Sequence, residues 1–121
     1  MSKAAISIFV FGLYILINAI TLITAPNLLL SILGLEPTRE PWLRAFGAVI
    51  FVLGLYYLQA ARQEVTPFFR WTTWGRPLLL LLFIGLVVLK LIPAIMIVFG
   101  VVDLAGAVWT AAALRQRSAM S

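Results

Sequence analysis

PLLLLLFIGLVVLKLIPAIMIVFGVVDLAGAVWTAAAL, residues 77–114, decides the fold. As a single helix this run would span nearly twice the thickness of a bilayer's hydrocarbon core. KLIPA at residues 90–94 is its only break, a charge followed by a proline that cannot continue a helix. The run therefore reads as two crossings, one ending near Lys90 and one running from about Pro93 to Leu114. That split makes the number of spans even and places both ends of the chain on one side.

Working outward, the same grammar repeats. AAISIFVFGLYILINAITLITA, residues 4–25, is long enough to cross a core of roughly 30 Å. A cleaved signal peptide is the competing reading, because Lys3 precedes the run and ITA is a small-residue ending. The length of the run and Pro26 directly after it favour a retained span. PNLLLSILGLEPTREP, residues 26–41, carries Leu28, Leu29, Ile32, Leu33 and Leu35, then Gly34, Pro37 and Pro41. It reads as a short interfacial helix over about residues 27–35, or as a capped extension of the first span. WLRAFGAVIFVLGLYYLQAA, residues 42–61, is the second span, with Trp42 at one end and Tyr56 and Tyr57 near the other. RQEVTPFFRWTTWGR, residues 62–76, starts as a loop and enters the third helix near Pro67, with Trp71 and Trp74 at headgroup depth. The expected fold is all-α, an antiparallel four-helix transmembrane bundle in one domain, with spans near residues 4–25, 42–61, 68–90 and 93–114.

Composition sets the same limits. The chain has 121 residues, 64% of them hydrophobic and 11% charged, and its mean hydropathy is +1.11. Soluble domains are about half apolar and a quarter charged. Without cysteine or histidine, disulfides, thiolate nucleophiles, the usual zinc and haem ligands and the commonest general base are gone. No metal or cofactor is expected. The net charge of +5 comes from residues scattered between apolar runs. They assemble no basic face, so nucleic acid is not an expected partner. The basic residues report topology instead. Lys3, Arg62, Arg70, Arg76, Arg115 and Arg117 fall on the side of the N-terminus. Arg39, Arg44 and Lys90 fall opposite, diluted by Glu36 and Glu40. Both termini are expected in the cytoplasm of a cell with this protein in its inner membrane. The terminal SAMS, residues 118–121, is expected to fray.

Asp103 stands out in this setting. It lies ten residues past Pro93 and eleven before Leu114, roughly 15 Å from either end of its helix. A charge at that depth costs about 2.5–3.5 kcal/mol on insertion scales, so it needs a partner, a cavity or a neutralising proton. Arg76, entering from the N-terminal side, is the favoured partner. Arg44, one turn inside the second span, is the other, and either arginine could instead snorkel to headgroups. Gly100, Asp103, Ala107 and Thr110 share a face of the fourth helix. Tyr14, Asn18, Thr21 and Ala25 share one on the first; Arg44, Gly47, Phe51, Gly54 and Leu58 share one on the second. Asp103, Arg76, Arg44, Asn18 and Tyr14 are the candidate buried polar network or ligand site. Gly12, Gly47, Gly54, Gly85, Gly100 and Gly106 read as packing contacts. Lys90 reads as an interfacial anchor and Glu64 as a solvated loop acid. GLYILINA at residues 12–19 echoes GLYYLQAA at 54–61, and FGAV at 46–49 echoes FGVV at 99–102. Shared composition explains such matches as readily as an old duplication does.

APNLLLSILGL at residues 25–35, WLRAFGAVIFVLGLYYL at 42–58 and FGVVDLAGAVWTAAALR at 99–115 carry a resemblance. In their order the chain resembles the DoxX-like and BphX-like group of small bacterial four-helix membrane proteins. The resemblance covers most of the chain and implies a four-helix bundle. Some members are similar to subunits of membrane redox enzymes or occur with catabolic pathways. It supplies no catalytic residues.

The function expected from these residues is non-enzymatic. One reading is a structural or assembly subunit of a homo-oligomer or larger membrane complex, in contact with the lipid bilayer, where Asp103 and an arginine set helix registry. The alternative is a binder or carrier of a small lipophilic or anionic ligand in a pocket around Asp103. Catalysis would have to rest on Asp103, Glu64 or a tyrosine, with no paired carboxylates, no nucleophile beside a base and no phosphate loop in support.

Overall fold

The computed structural model describes residues 1–120, with side chains placed over residues 1–116. The expectations for Arg117 and for SAMS fall outside those side chains. The described chain is all-α. Four long helices are α1 (Lys3–Thr24), α3 (Trp42–Arg62), α4 (Thr66–Val88) and α5 (Ile97–Met120), and the short helix α2 (Pro26–Ile32) follows the first. A single 3₁₀ turn, Ala94–Met96, leads into α5. Four of the segments are long and apolar enough to cross a membrane, with the last running Ala94–Gln116. Large apolar side chains stand outward along them, Ile17 and Val49 at 66% exposure and Val88 at 73%. That much exposed hydrocarbon is stable only in lipid or against a partner. The chain is a multi-pass membrane protein.

Local chemistry sets the helix ends. The Ser2 hydroxyl accepts the Ala5 N–H at 3.1 Å, an N-cap for α1. Pro26 has no N–H to extend α1 and instead opens α2, where its fixed φ is already helical. α2 closes on Gly34 at φ +74°, with Leu35 N–H donating to Leu30 O at 2.8 Å and Gly34 N–H to Ser31 O at 3.1 Å. This is the paired-bond helix ending that a left-handed residue makes possible. α3 and α4 end in the same way but on charged residues. Glu64 takes φ 54° and Lys90 φ 62°, with Val65 N–H on Ala60 O and Leu91 N–H on Leu86 O. Lys90 is thus a helix terminator as well as an exposed charge. α4 runs through Pro77, so the proline that opens the long apolar run lies inside the third helix.

The described chain divides into two compact units, Met1–Ile8 with Ala60–Ser121, and Phe9–Gln59. In the second unit α1 and α3 run antiparallel and approach at glycines. A Cβ on Gly47 would lie 3.0 Å from Ala19 O, and one on Gly54 2.8 Å from Leu16 Cδ2. Gly12 faces Tyr57 and Leu58 in the same close manner, and the Phe11 ring meets Tyr57 at 5.6 Å between centroids. In the first unit α4 and α5 run antiparallel, and a Cβ on Gly100 would lie 3.0 Å from the Leu80 Cα. Gly85 differs from the expectation of a packing contact: a Cβ there would meet open space.

Candidate functional site: a buried arginine held by hydroxyls

The polar centre of the first unit is built on Arg76, which is 4% exposed. In a helix a long side chain leans toward the N-terminal turn. Arg76 obeys this, and its guanidinium folds back over Thr72. Nε donates to Thr72 O at 3.3 Å and Nη2 to Thr72 Oγ1 at 3.0 Å. Nη2 also donates across to α5, reaching Thr110 Oγ1 at 2.9 Å. Thr110, fully buried, lies 2.7 Å from Ser7 Oγ on α1. One hydroxyl therefore joins three helices.

Proton bookkeeping in this cluster has two solutions. Ser7 can donate to Ala4 O at 2.6 Å while Thr110 donates to Ser7. Alternatively Ser7 donates to Thr110, and Thr110 donates to Gly106 O at 3.1 Å. Arg76 donates in both, because guanidinium has no acceptor. Thr72 is occupied as well, its own hydroxyl donating to Phe69 O at 2.7 Å. The described bonds of the cation all end on threonine oxygens.

Asp103 sits on the same face of α5 as Thr110, two turns nearer the start of the helix. It is 9% exposed and lies in the same compact unit as Arg76. Among the described residues no hydrogen bond ends on its carboxylate; the direct bonds of the guanidinium that are described go to Thr72 and Thr110.

The remaining sequence-derived candidates lie in the second unit. Asn18 Nδ2 donates to Tyr14 O, one turn back on α1, at 2.9 Å. Thr21 and Thr24 fold back likewise onto Ile17 O and Ile20 O. These groups satisfy themselves on their own helix. Tyr14 packs its ring against Phe11 at 5.5 Å. Arg44, exposed on α3, donates through Nη1 to Ile23 O in the last turn of α1. It caps the negative end of that helix dipole.

No protein-family model, curated protein or solved structure matches the chain.

Two contacts lay beyond the sequence reading. Ser7 and Thr72 are central to the Arg76 cluster, yet in sequence neither differs from the other small hydroxyls of its helix, Thr21 and Thr24 in α1 and Thr66 and Thr73 in α4. Their only signal is spacing: Thr72 is four residues before Arg76, within reach of a side chain that leans backward. Glu64, expected in solvent, is half-buried, and its carboxylate accepts the Ser2 N–H and the Ser2 hydroxyl, the latter at 2.7 Å. This clamp ties the start of α1 to the α3–α4 turn.

Proposed function

We propose that the protein is a non-enzymatic, multi-pass inner-membrane protein that serves as a structural or assembly subunit, in a homo-oligomer or a larger membrane complex. The observation carrying this reading is the shared Thr110 hydroxyl. It joins the Nη2 donor of Arg76 and the hydroxyl of Ser7, which supports α1, α4 and α5 being held in register. Interhelical hydrogen bonds of this kind fix helix rotation and depth where the hydrophobic effect cannot. The assembly part of the proposal is supported by α4. Gly75 and Gly85 both offer open space at Cβ, and small residues let a neighbouring backbone approach closely. The DoxX-like resemblance is compatible with such a role, and the distribution of basic residues supports cytoplasmic termini.

The test combines three measurements on the purified chain. Native mass spectrometry reads the assembly state, and a Gly85→Leu variant is expected to shift it toward monomer with little loss of thermal stability. Because the sequence has no cysteine, single cysteines placed at Ser2 and Arg39 report sidedness by labelling, with Ser2 expected on the cytoplasmic face. An Asp103→Asn variant that folds and assembles normally while abolishing a cellular phenotype would sink the structural reading.

A second reading keeps a specific observation of its own. The Asp103 carboxylate is nearly buried and ends no hydrogen bond among the described residues. Such a group could receive a donor from a small lipophilic ligand entering the bundle. Co-purification of a small molecule lost in Asp103→Leu would favour this reading over the first.

A further inference from the structure

We propose that a groove between the start of α1 and the end of α5 binds one anionic phospholipid, with its phosphate on Lys3 and an acyl chain along Trp109. The groove has a volume of about 200 Å³ and is lined by Lys3, Ile6, Trp109, Ala112, Ala113 and Gln116. All six belong to the same compact unit. Lys3 is the first residue of its membrane span, so the mouth of the groove, where Gln116 faces Lys3, lies at the boundary of the hydrocarbon. Trp109 is seven residues before Gln116, roughly 10 Å deeper along the helix. The slot is thus cationic and polar at the boundary and apolar below it.

That gradient selects the occupant. A molecule that fills the slot carries an anion at one end and hydrocarbon at the other, and it arrives from within the leaflet. A phospholipid with net negative charge meets all three requirements. Ala112 and Ala113 create the space, since any larger side chain at the exposed Ala112 would project into it. Electrostatics add a second argument. α1 has no acidic residue in its first turn and opens on Lys3, a cation at the positive end of the helix dipole, where it is disfavoured. A phosphate offsets both positive sources. The exposed Arg115 next to Gln116 adds a third charge of the same sign. The acid tied to this end of α1 is Glu64, which is held by the Ser2 N–H and hydroxyl and is not among the lining residues. A zwitterionic lipid brings its own ammonium beside its phosphate and gains less from Lys3.

The experiment is a lipid titration of the purified full chain in mild detergent, read by native mass spectrometry. Phosphatidylglycerol is compared with phosphatidylcholine of the same acyl chains. The expected result is one phosphatidylglycerol retained at about tenfold lower concentration than phosphatidylcholine. Lys3→Gln is expected to abolish that preference and Ala112→Phe to abolish the bound lipid, both with unchanged melting temperature. Lys3 and Ala112 are exposed, and removing a cation from a helix N-terminus does not weaken the helix. Equal retention of the two lipids, or retention unaltered by both substitutions, overturns the proposal in favour of an unspecific lipid belt. Displacement of the lipid by millimolar inorganic phosphate overturns it in favour of a simple anion site.

Discussion

Arg76 Nη2 donates to Thr110 Oγ1 at 2.9 Å, and the same oxygen lies 2.7 Å from Ser7 Oγ. Thr110 is therefore the joint of the first unit, and Thr110→Val removes it while keeping nearly the same shape. The variant leaves a buried guanidinium short of an acceptor and a buried serine short of its partner. The expected loss is about 1–3 kcal/mol, read as a shift in the unfolding midpoint in mixed detergent micelles. Arg76→Met/Thr110→Val removes the stranded cation as well and is expected to recover part of that loss. A double variant weaker than Thr110→Val alone contradicts the account.

Asp103 and Arg76 are oppositely charged and both nearly buried in one unit, so what Asp103 contributes through the cation should vanish when Arg76 is neutral. A double-mutant cycle of Asp103→Asn and Arg76→Met is expected to give a coupling energy of about 0.5–3 kcal/mol. Unfolding of the four proteins under identical micelle conditions supplies the numbers. Additive effects mean that the two side chains are energetically independent.

The four spans were legible because a bilayer imposes a length, and the chain meets it four times between Pro26, Pro41, Pro67 and Pro93. The charged centre was legible in part. Asp103 was conspicuous among apolar neighbours, but the direction in which Arg76 points is a property of side-chain geometry on the helix. It folds toward Thr72, and the threonine oxygens that receive it look ordinary in sequence. Glycine is equally mute: Gly100 and Gly85 read alike, and only the neighbouring helix distinguishes the crowded position from the open one.

That difference gives a paired prediction. A Cβ at Gly100 would press on the Leu80 backbone at 3.0 Å, whereas one at Gly85 meets nothing. Gly100→Ala is expected to cost about 1–3 kcal/mol through overpacking. Gly85→Ala is expected to be neutral or to stabilise by up to about 1 kcal/mol through helix propensity. In the same detergent the melting temperature of Gly100→Ala should fall, while that of Gly85→Ala should hold or rise.

Arg44 and the last turn of α1 provide a third case. Its Nη1 serves Ile23 O, near the point where Pro26 withholds an N–H from the helix. Arg44→Ala should destabilise by about 0.3–2 kcal/mol, the range for a cation at a helix C-terminus. Arg44→Lys keeps the charge but loses the planar donor fork, so it should lie between the two. A lysine variant as weak as the alanine variant would show that geometry, not charge, carries the contact.

Lys90 and Glu64 occupy the same left-handed position after α4 and α3, at φ 62° and 54°, yet substitution by glycine should affect them differently. A non-glycine residue there carries a steric cost of roughly 1–2 kcal/mol. Lys90 is exposed, so Lys90→Gly relieves the cost at little loss and is expected to raise stability by about 1 kcal/mol. Glu64→Gly relieves the same strain but also deletes the carboxylate that holds the Ser2 N–H and hydroxyl, and charge-assisted hydrogen bonds are the stronger kind. The gain is then cancelled or reversed, and hydrogen exchange at the first amides of α1 should accelerate in Glu64→Gly and not in Lys90→Gly. Equal stabilisation by both glycines, with exchange unchanged, would mean that the clamp on Ser2 contributes nothing to the fold.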